Sequence, residues 1–417
     1  MTKQQIASEI QQTFGFVSDS FGGSTIDVVI IGGGVQGLIL LDTLTDAGYS
    51  CALVTEGDLG GGQTLHSHGF LNTGFGMPGP RRDELPRAAM QVVYPYLSAR
   101  GVELNDNWVV IAPPGLPGLD GLQPAGLPAG FSPAFGGNAR KLPNRSFSKR
   151  RLVEALARGR ERRIIRGTVT GFVGHERVES VAVQPDGGHP SIALKTGAVV
   201  VAAGCGSKQL IRSLVGSTPQ VEAIKHRLVH MVCLRGPRGG LPAVSIAAVP
   251  LSLLIAAHED SDGVTWYVTP MEMEAPSFDD VPHDASATVA PAVLARTRDA
   301  LLALYPELPD TEGLAVGSYA GYRQDIGDGP GTRMCELIAG TGNVIAALPS
   351  GLVAPWLNAA DTRDLLRPIV DPSGEGRELS RGGEGVRVGN PVEQRPGFRW
   401  TTWQEWTVSL SGAGTSG

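Results

Sequence analysis

Ile26-Asp-Val-Val-Ile-Ile-Gly-Gly-Gly-Val-Gln-Gly37 decides the fold. Residues 26–31 are the near-continuous apolar run of a strand buried on both faces of a parallel sheet. Val35–Asp46 then carries helical spacing up to Gly48, a natural C-terminal stop. Ser50–Thr55 supplies a second strand, so one strand–helix–strand unit fills about thirty residues and places its first turn at the carboxyl end of a sheet. Gly32 allows the tight turn, Gly34 lets backbone N–H groups approach a pyrophosphate, and Gly37 permits close helix–sheet packing. Glu56, closing the second strand, is placed to accept ribose hydroxyls. Together these residues predict a dinucleotide site.

The rest of the composition narrows the class. The chain has 417 residues, 41% hydrophobic and 18% charged, with 57 glycines and 30 prolines. That glycine and proline content puts much of the structure in turns, but the glycines keep no triplet period and apolar runs recur, which excludes collagen and wholesale disorder. The formal net charge is −6. Basic residues are scattered apart from Arg158–Arg166, so no nucleic-acid partner is expected. Cysteines at 51, 205, 233 and 335 lie too far apart for a zinc or Cys-x-x-Cys motif. The opening residues lack the apolar core of a leader, and no apolar run reaches the ~20 residues of a membrane span. A cytoplasmic protein without a transmembrane segment is the expectation.

Outward from the first unit, Ile6, Ile10, Phe14 and Val17 have the spacing of a short amphipathic helix. Pro113–Gly137 is saturated with Gly and Pro and is either a lid or a solvated insertion. Arg151–Arg158 reads as a basic helix with a solvated face. Strand-like runs follow at 163–171, 178–183 and 192–201, then an alternating set at 228–234, 243–258 and 264–268 suited to an antiparallel sheet, then an amphipathic helix over 290–305. Residues 371–396, rich in Gly, Arg and Glu, read as a mobile linker. Beyond them Trp400, Trp403 and Trp406 form one helical ridge suited to buried packing.

At five places the sequence resembles the FAD-dependent oxidoreductases of the glycine oxidase and D-amino acid oxidase family. These are Asp27-Val-Val-Ile-Ile-Gly-Gly-Gly34, Glu56, Gly60-Gly-Gly-Gln-Thr-Leu-His-Ser-His-Gly69, Val201-Ala-Ala-Gly204 and Tyr319-Ala-Gly-Tyr-Arg-Gln-Asp325. The resemblance implies FAD held by Gly32, Gly34, Gly37, Glu56, Gln63, Thr64, His66, Val169, Gly204, Ser350 and Gly351. Gly62–Gly69 is also similar to stretches of sarcosine and dimethylglycine dehydrogenases and of 2-hydroxyglutarate oxidising enzymes, which place a histidine where His66 stands. In the dehydrogenases that histidine is joined to the flavin 8α-methyl group, so His66 either forms this bond or meets the flavin through a hydrogen bond.

Arg323 falls where the family presents a guanidinium to a substrate carboxylate, with Tyr322 as a second donor. Its other reading is an ion pair with Asp325 or Asp328. His68 departs from both patterns and meets either flavin or substrate. His226, Leu228 and His230 share a strand face by period two, which makes His230 either a base or a wall residue. Two histidines without a nearby carboxylate or thiol make no metal site.

The expected fold is α/β (α+β overall). A Rossmann-like FAD-binding domain over 26–85, 140–225 and 325–370 interleaves with a mixed or antiparallel β-sheet substrate domain over 86–139 and 226–324. Residues 1–25 form an N-terminal segment and 371–417 a linker and tail. The expected activity is oxidation of a C–N bond of a small amine or amino acid by hydride transfer to the flavin, with oxygen or another acceptor taking the electrons. Two alternatives are oxidation of a 2-hydroxy acid, which needs a base such as His66 or His230, and an NAD(P)H-dependent flavin monooxygenase.

Overall fold

The computed structural model describes residues 25–73, 81–116, 119, 121–271, 277–280, 289–327, 333–349, 351–374, 379, 382–395 and 398–412. The expected N-terminal helix lies outside them, as do Ser350 and Asp328. Two compact units emerge. The first takes the chain up to Thr64, Leu152–Lys225 and Gln324–Gly389, and the second takes Leu65–Arg151, His226–Arg323 and the chain from Asn390 on.

In the first unit, strand Ile26–Ile31 lies between parallel neighbours Cys51–Thr55 and Ile192–Val201. Val344–Leu348 continues the parallel set beyond Ile192–Val201, and Met334–Leu337 closes that edge antiparallel. Ile164–Val173 serves two layers. Its first residues pair parallel with Cys51–Thr55, while Gly167–Val173 pair antiparallel with Ser180–Pro185, which in turn pairs with Ile192–Val201. Every residue of Cys51–Thr55 and of Val344–Leu348 is buried, as strands covered on both faces require. Helices Val35–Asp46 and Ala354–Leu366 pack against each other and on this sheet.

The second unit is built on a nine-stranded sheet. Most of its pairings are antiparallel, but Ser245–Ala248 runs parallel to Trp108–Ile111. Alternation along the strands separates two cores. Val232, Leu234, Val264, Trp266 and Val268 join helix residues Leu301 and Leu304 and the buried Trp403 and Trp406 on one face. Cys233, Tyr267 and Trp108 gather on the other, with Phe70, Tyr319, Phe398 and Trp400 against them.

Three sequence expectations change here. The apolar run 243–258 is two strands, because Pro250 cannot donate to a ladder and the chain turns through the 3₁₀ segment Val249–Leu251 and left-handed Ser252. The described residues of 65–85, and residues 140–151, expected with the first domain, group with the second unit. Phe70–Leu71 pairs with Arg145–Ser146, and Ser146 accepts from Trp108 Nε1 at 2.7 Å. The stretch read as a linker is docked in its described parts: Leu379 is buried, Val388 bridges to Leu59, and Glu393 is buried.

Candidate active site

The glycine turn of the first unit is fixed from beneath. Gly32 has φ +122°, and a Cβ there would drive into the carbonyl of Ala202. Gly34 differs: only Thr64 Oγ1, at 3.4 Å, lies within reach of a Cβ, so the space above it is open. Helix Val35–Asp46 starts with no side-chain cap on Gly34 and no acidic residue in its first turn. Its first amide donates instead to Thr64 Oγ1 at 3.0 Å. Thr64, expected along the pyrophosphate, thus works as a remote helix cap. Gln63 lies beside Gly204, whose φ is +54°. Glu56 is exposed at the strand end and accepts from Thr168 Oγ1 at 3.4 Å, next to half-buried Val169.

Gln36 is a residue that motif reading missed. Its Nε2 donates to the carbonyl of Pro355 at 3.3 Å, and its Oε1 accepts from Asn358 Nδ2 at 3.0 Å. This ties the start of Val35–Asp46 to the start of Ala354–Leu366, so two positive helix ends converge. Gly351, exposed with φ +90°, lies just before the second of them.

In the second unit the His66–His68 segment lies against the middle of strand Ala315–Ile326. Tyr319 Oη donates to the His66 carbonyl at 2.9 Å, and a Cβ on Gly321 would stand 3.3 Å from His66 Nδ1. Strand alternation puts Arg323 on the same face as Tyr319 and Gly321. Tyr322 is on the opposite face, its ring edge toward Phe278 at 6.1 Å. His226 is buried, and the half-buried His230 accepts from Thr269 Oγ1 through its carbonyl.

Both segment histidines are held neutral. Burial, with Arg395 and Lys149 adding to it, lowers His66 to about 4. Burial, then Lys149, Arg323 and His258, lowers His68 to about 3. The Nε2 atoms of both rings are buried with no hydrogen-bond partner among the described residues. A neutral imidazole with an uncommitted ring nitrogen can accept a hydrogen bond or form a bond. No group of metal-ligating side chains occurs among the described residues.

A family model described as "FAD dependent oxidoreductase" (DAO) matches residues 27–349. The chain belongs to the DAO family of FAD-dependent oxidoreductases. It is 27% identical over 299 residues to the probable FAD-dependent oxidoreductase PA4991 of Pseudomonas aeruginosa, covering 64% of this chain and 73% of that one. The crystal structure of PA4991 has a TM-score of 0.68 at 22% identity, over 88% of this chain and 97% of that chain. Glycine oxidase from Geobacillus kaustophilus follows the same fold at TM-score 0.62 and 18% identity, over 86% and 99%. L-proline dehydrogenase from P. horikoshii does so at 0.62 and 14%, over 87% and 99%.

The residues present fit the family's FAD. Packing fills the space a Cβ would need at Gly32 and Gly37, yet leaves it open at Gly34, where a pyrophosphate would approach. Sequence reading also missed a buried cluster behind the histidines: Lys149, His258, Tyr267 and Glu393. Lys149 opens the observed helix Lys149–Ala157, two residues ahead of the stretch read as a basic helix, and is only 4% exposed. Glu393 stood in the presumed linker and is 8% exposed. A lysine and a glutamate 244 positions apart offer no local pattern; only burial identifies them.

Proposed function

We propose that this chain oxidises the C–N bond of a small amine or amino acid. Bound FAD supplies a two-electron acceptor for the hydride. The glycine turn, the converging starts of Val35–Asp46 and Ala354–Leu366, and Glu56 hold the dinucleotide portion. The observation that carries the choice of C–N over C–OH is the low basicity of His66 and His68, whose values near 4 and 3 make them poor bases for a hydroxyl proton at neutral pH. An amine needs no such base. Cationic surroundings from Lys149, Arg323 and Arg395 favour its neutral form, which donates hydride, and a neutral imidazole can accept its N–H. Arg323 takes a substrate carboxylate, and Tyr322 packs the strand from its other face. Relatives of the same fold named for amino-acid substrates support this class.

His66 Nε2 serves the flavin either through a bond or as a hydrogen-bonding atom. Acid precipitation separates the two: flavin that stays with the polypeptide means a bond. None of the four cysteines forms a disulfide among the described residues, in keeping with a reducing, cytoplasmic setting, and no helix among the described residues is long and apolar enough to cross a membrane.

The test is anaerobic rapid mixing of the oxidised holoprotein with amino acids, N-methyl amino acids, 2-hydroxy acids, uncharged amines and NADPH. Bleaching of the flavin by carboxylated amines supports the proposal. Bleaching by 2-hydroxy acids alone, or by NADPH alone, overturns it. Reoxidation by air against dye then identifies the acceptor.

A further inference from the structure

Behind the His66–His68 segment lies a continuous chain of contacts that ends on a carboxylate near the C-terminus. His258 Nε2 meets the His68 carbonyl at 2.6 Å, and since a carbonyl only accepts, that nitrogen carries the proton. The His258 ring stands edge-on to Tyr267, centroids 5.1 Å apart. Lys149 Nζ lies over the Tyr267 ring, 3.7 Å from its centroid, and 3.8 Å from Glu393 Oε2. Tyr267 Oη donates to Glu393 Oε1 at 2.5 Å. Gly69, next to His68, is clamped by the same residues: with φ +70°, a Cβ there would stand 2.8 Å from Lys149 Cγ and 3.0 Å from His258 Cε1. Phe147 N–H fixes the Gly69 carbonyl at 2.9 Å.

We propose that Lys149, Tyr267 and Glu393 are positioning residues for the His66–His68 segment, acting through His258 and Gly69, and that the segment around Glu393 is therefore part of the active site. That segment lies beyond residue 349, where the family match ends. The inference rests on the reading that these histidines serve the flavin site, but its test does not.

The charges explain why the arrangement holds. A buried ammonium is costly without a partner, and Glu393 is the carboxylate beside it. Burial draws Lys149 below its usual range, and Glu393 opposes that fall, with Arg395 adding to it. Burial and Glu393 raise the Tyr267 hydroxyl well above its ordinary value, so it stays a donor. The charged groups facing the histidines are Lys149 and Arg395 for His66, and Lys149, Arg323 and His258 for His68. Burial and Lys149 lower His258 to about 4, against the hydrogen bond to the His68 carbonyl. Among the described residues, Lys149 is thus the cation that acts on all three rings.

Histidine Cε1 NMR titrations of the holoprotein, assigned with His66→Asn and His68→Asn, test the proposal without turnover. Lys149→Met should raise the midpoints of His66 and His68 by about one pH unit or more, while Lys149→Arg, which keeps the cation on Tyr267, should restore them. Midpoints in folded Lys149→Met within ~0.3 units of the wild-type values overturn the proposal. If Lys149→Met does not fold, Lys149→Met/Glu393→Leu carries no buried unpaired charge and answers the same titration. Midpoints that move while flavin reduction by amines is unchanged uphold the positioning network but overturn the assignment of these histidines, and with them of the segment around Glu393, to the active site.

Discussion

The glycine turn and the cluster proposed to position the histidines are encoded in opposite ways. Residues 26–56 carry the turn as one contiguous strand–helix–strand unit whose character lies in the backbone: a positive φ at Gly32 and no side chain at Gly32, Gly34 and Gly37. The cluster is assembled from Lys149, His258, Tyr267 and Glu393, on four separate stretches, and depends on side-chain charge out of water. A backbone site leaves a local signature that a single sequence displays. A side-chain site built by tertiary packing leaves none, and its energetics are harsher, because each buried charge relies on a residue far along the chain.

The largest expected effect separates fold from cofactor within the turn itself. Gly34→Val should yield folded protein without flavin, since the added side chain meets open space where the ligand would run. Gly32→Val should fail to fold, because its Cβ meets the Ala202 backbone at a left-handed φ. Flavin absorbance and thermal unfolding of the two variants check this. Equal flavin content in Gly34→Val and wild type would break the assignment of the turn.

This contrast also explains what the sequence disclosed. The parallel core strands and the glycine turn were legible because burial on both faces writes continuous apolar runs and a turn with φ +122° at Gly32 demands glycine. The role of Thr64 was not, because its hydroxyl reaches back to cap Val35 across 29 positions. Alternation sends the adjacent Tyr322 and Arg323 to opposite faces of their strand, a placement that the motif by itself does not display. The segment around Glu393 looked like a linker because its composition is polar, and composition does not reveal that one carboxylate is inserted beside a buried lysine.

On the cluster's side, Glu393→Ala should destabilise the protein by about 3–5 kcal/mol, leaving the Lys149 ammonium buried and unpaired. Lys149→Met/Glu393→Leu should regain most of that loss, which thermal unfolding of the three proteins measures. Equal stability of Glu393→Ala and wild type would mean that the ion pair is immaterial.

Arg323→Ala should lower kcat/KM for a carboxylated amine by about ten- to a hundredfold, the ~1.5–3 kcal/mol of a charged hydrogen bond. Arg323→Lys should recover little, because a point charge does not reproduce the fork. Unchanged kinetics in Arg323→Ala would leave it a structural residue.

The smallest effect concerns the link between strand and histidine. Tyr319→Phe removes the donor to the His66 carbonyl and should cost about 1 kcal/mol of stability, leaving flavin content intact.

The pH profile of anaerobic flavin reduction by an amine substrate tests the central claim most directly. With His66 near 4 and His68 near 3, both rings are already neutral above pH 5. The rate should therefore rise with pH along a single limb that follows the ionisation of the amine substrate, and an α-deuterated amine should slow it. A limb between pH 6 and 7 that belongs to the enzyme and disappears in His66→Asn or His68→Asn would contradict the account, because it would make a histidine the base and favour oxidation of a C–OH bond.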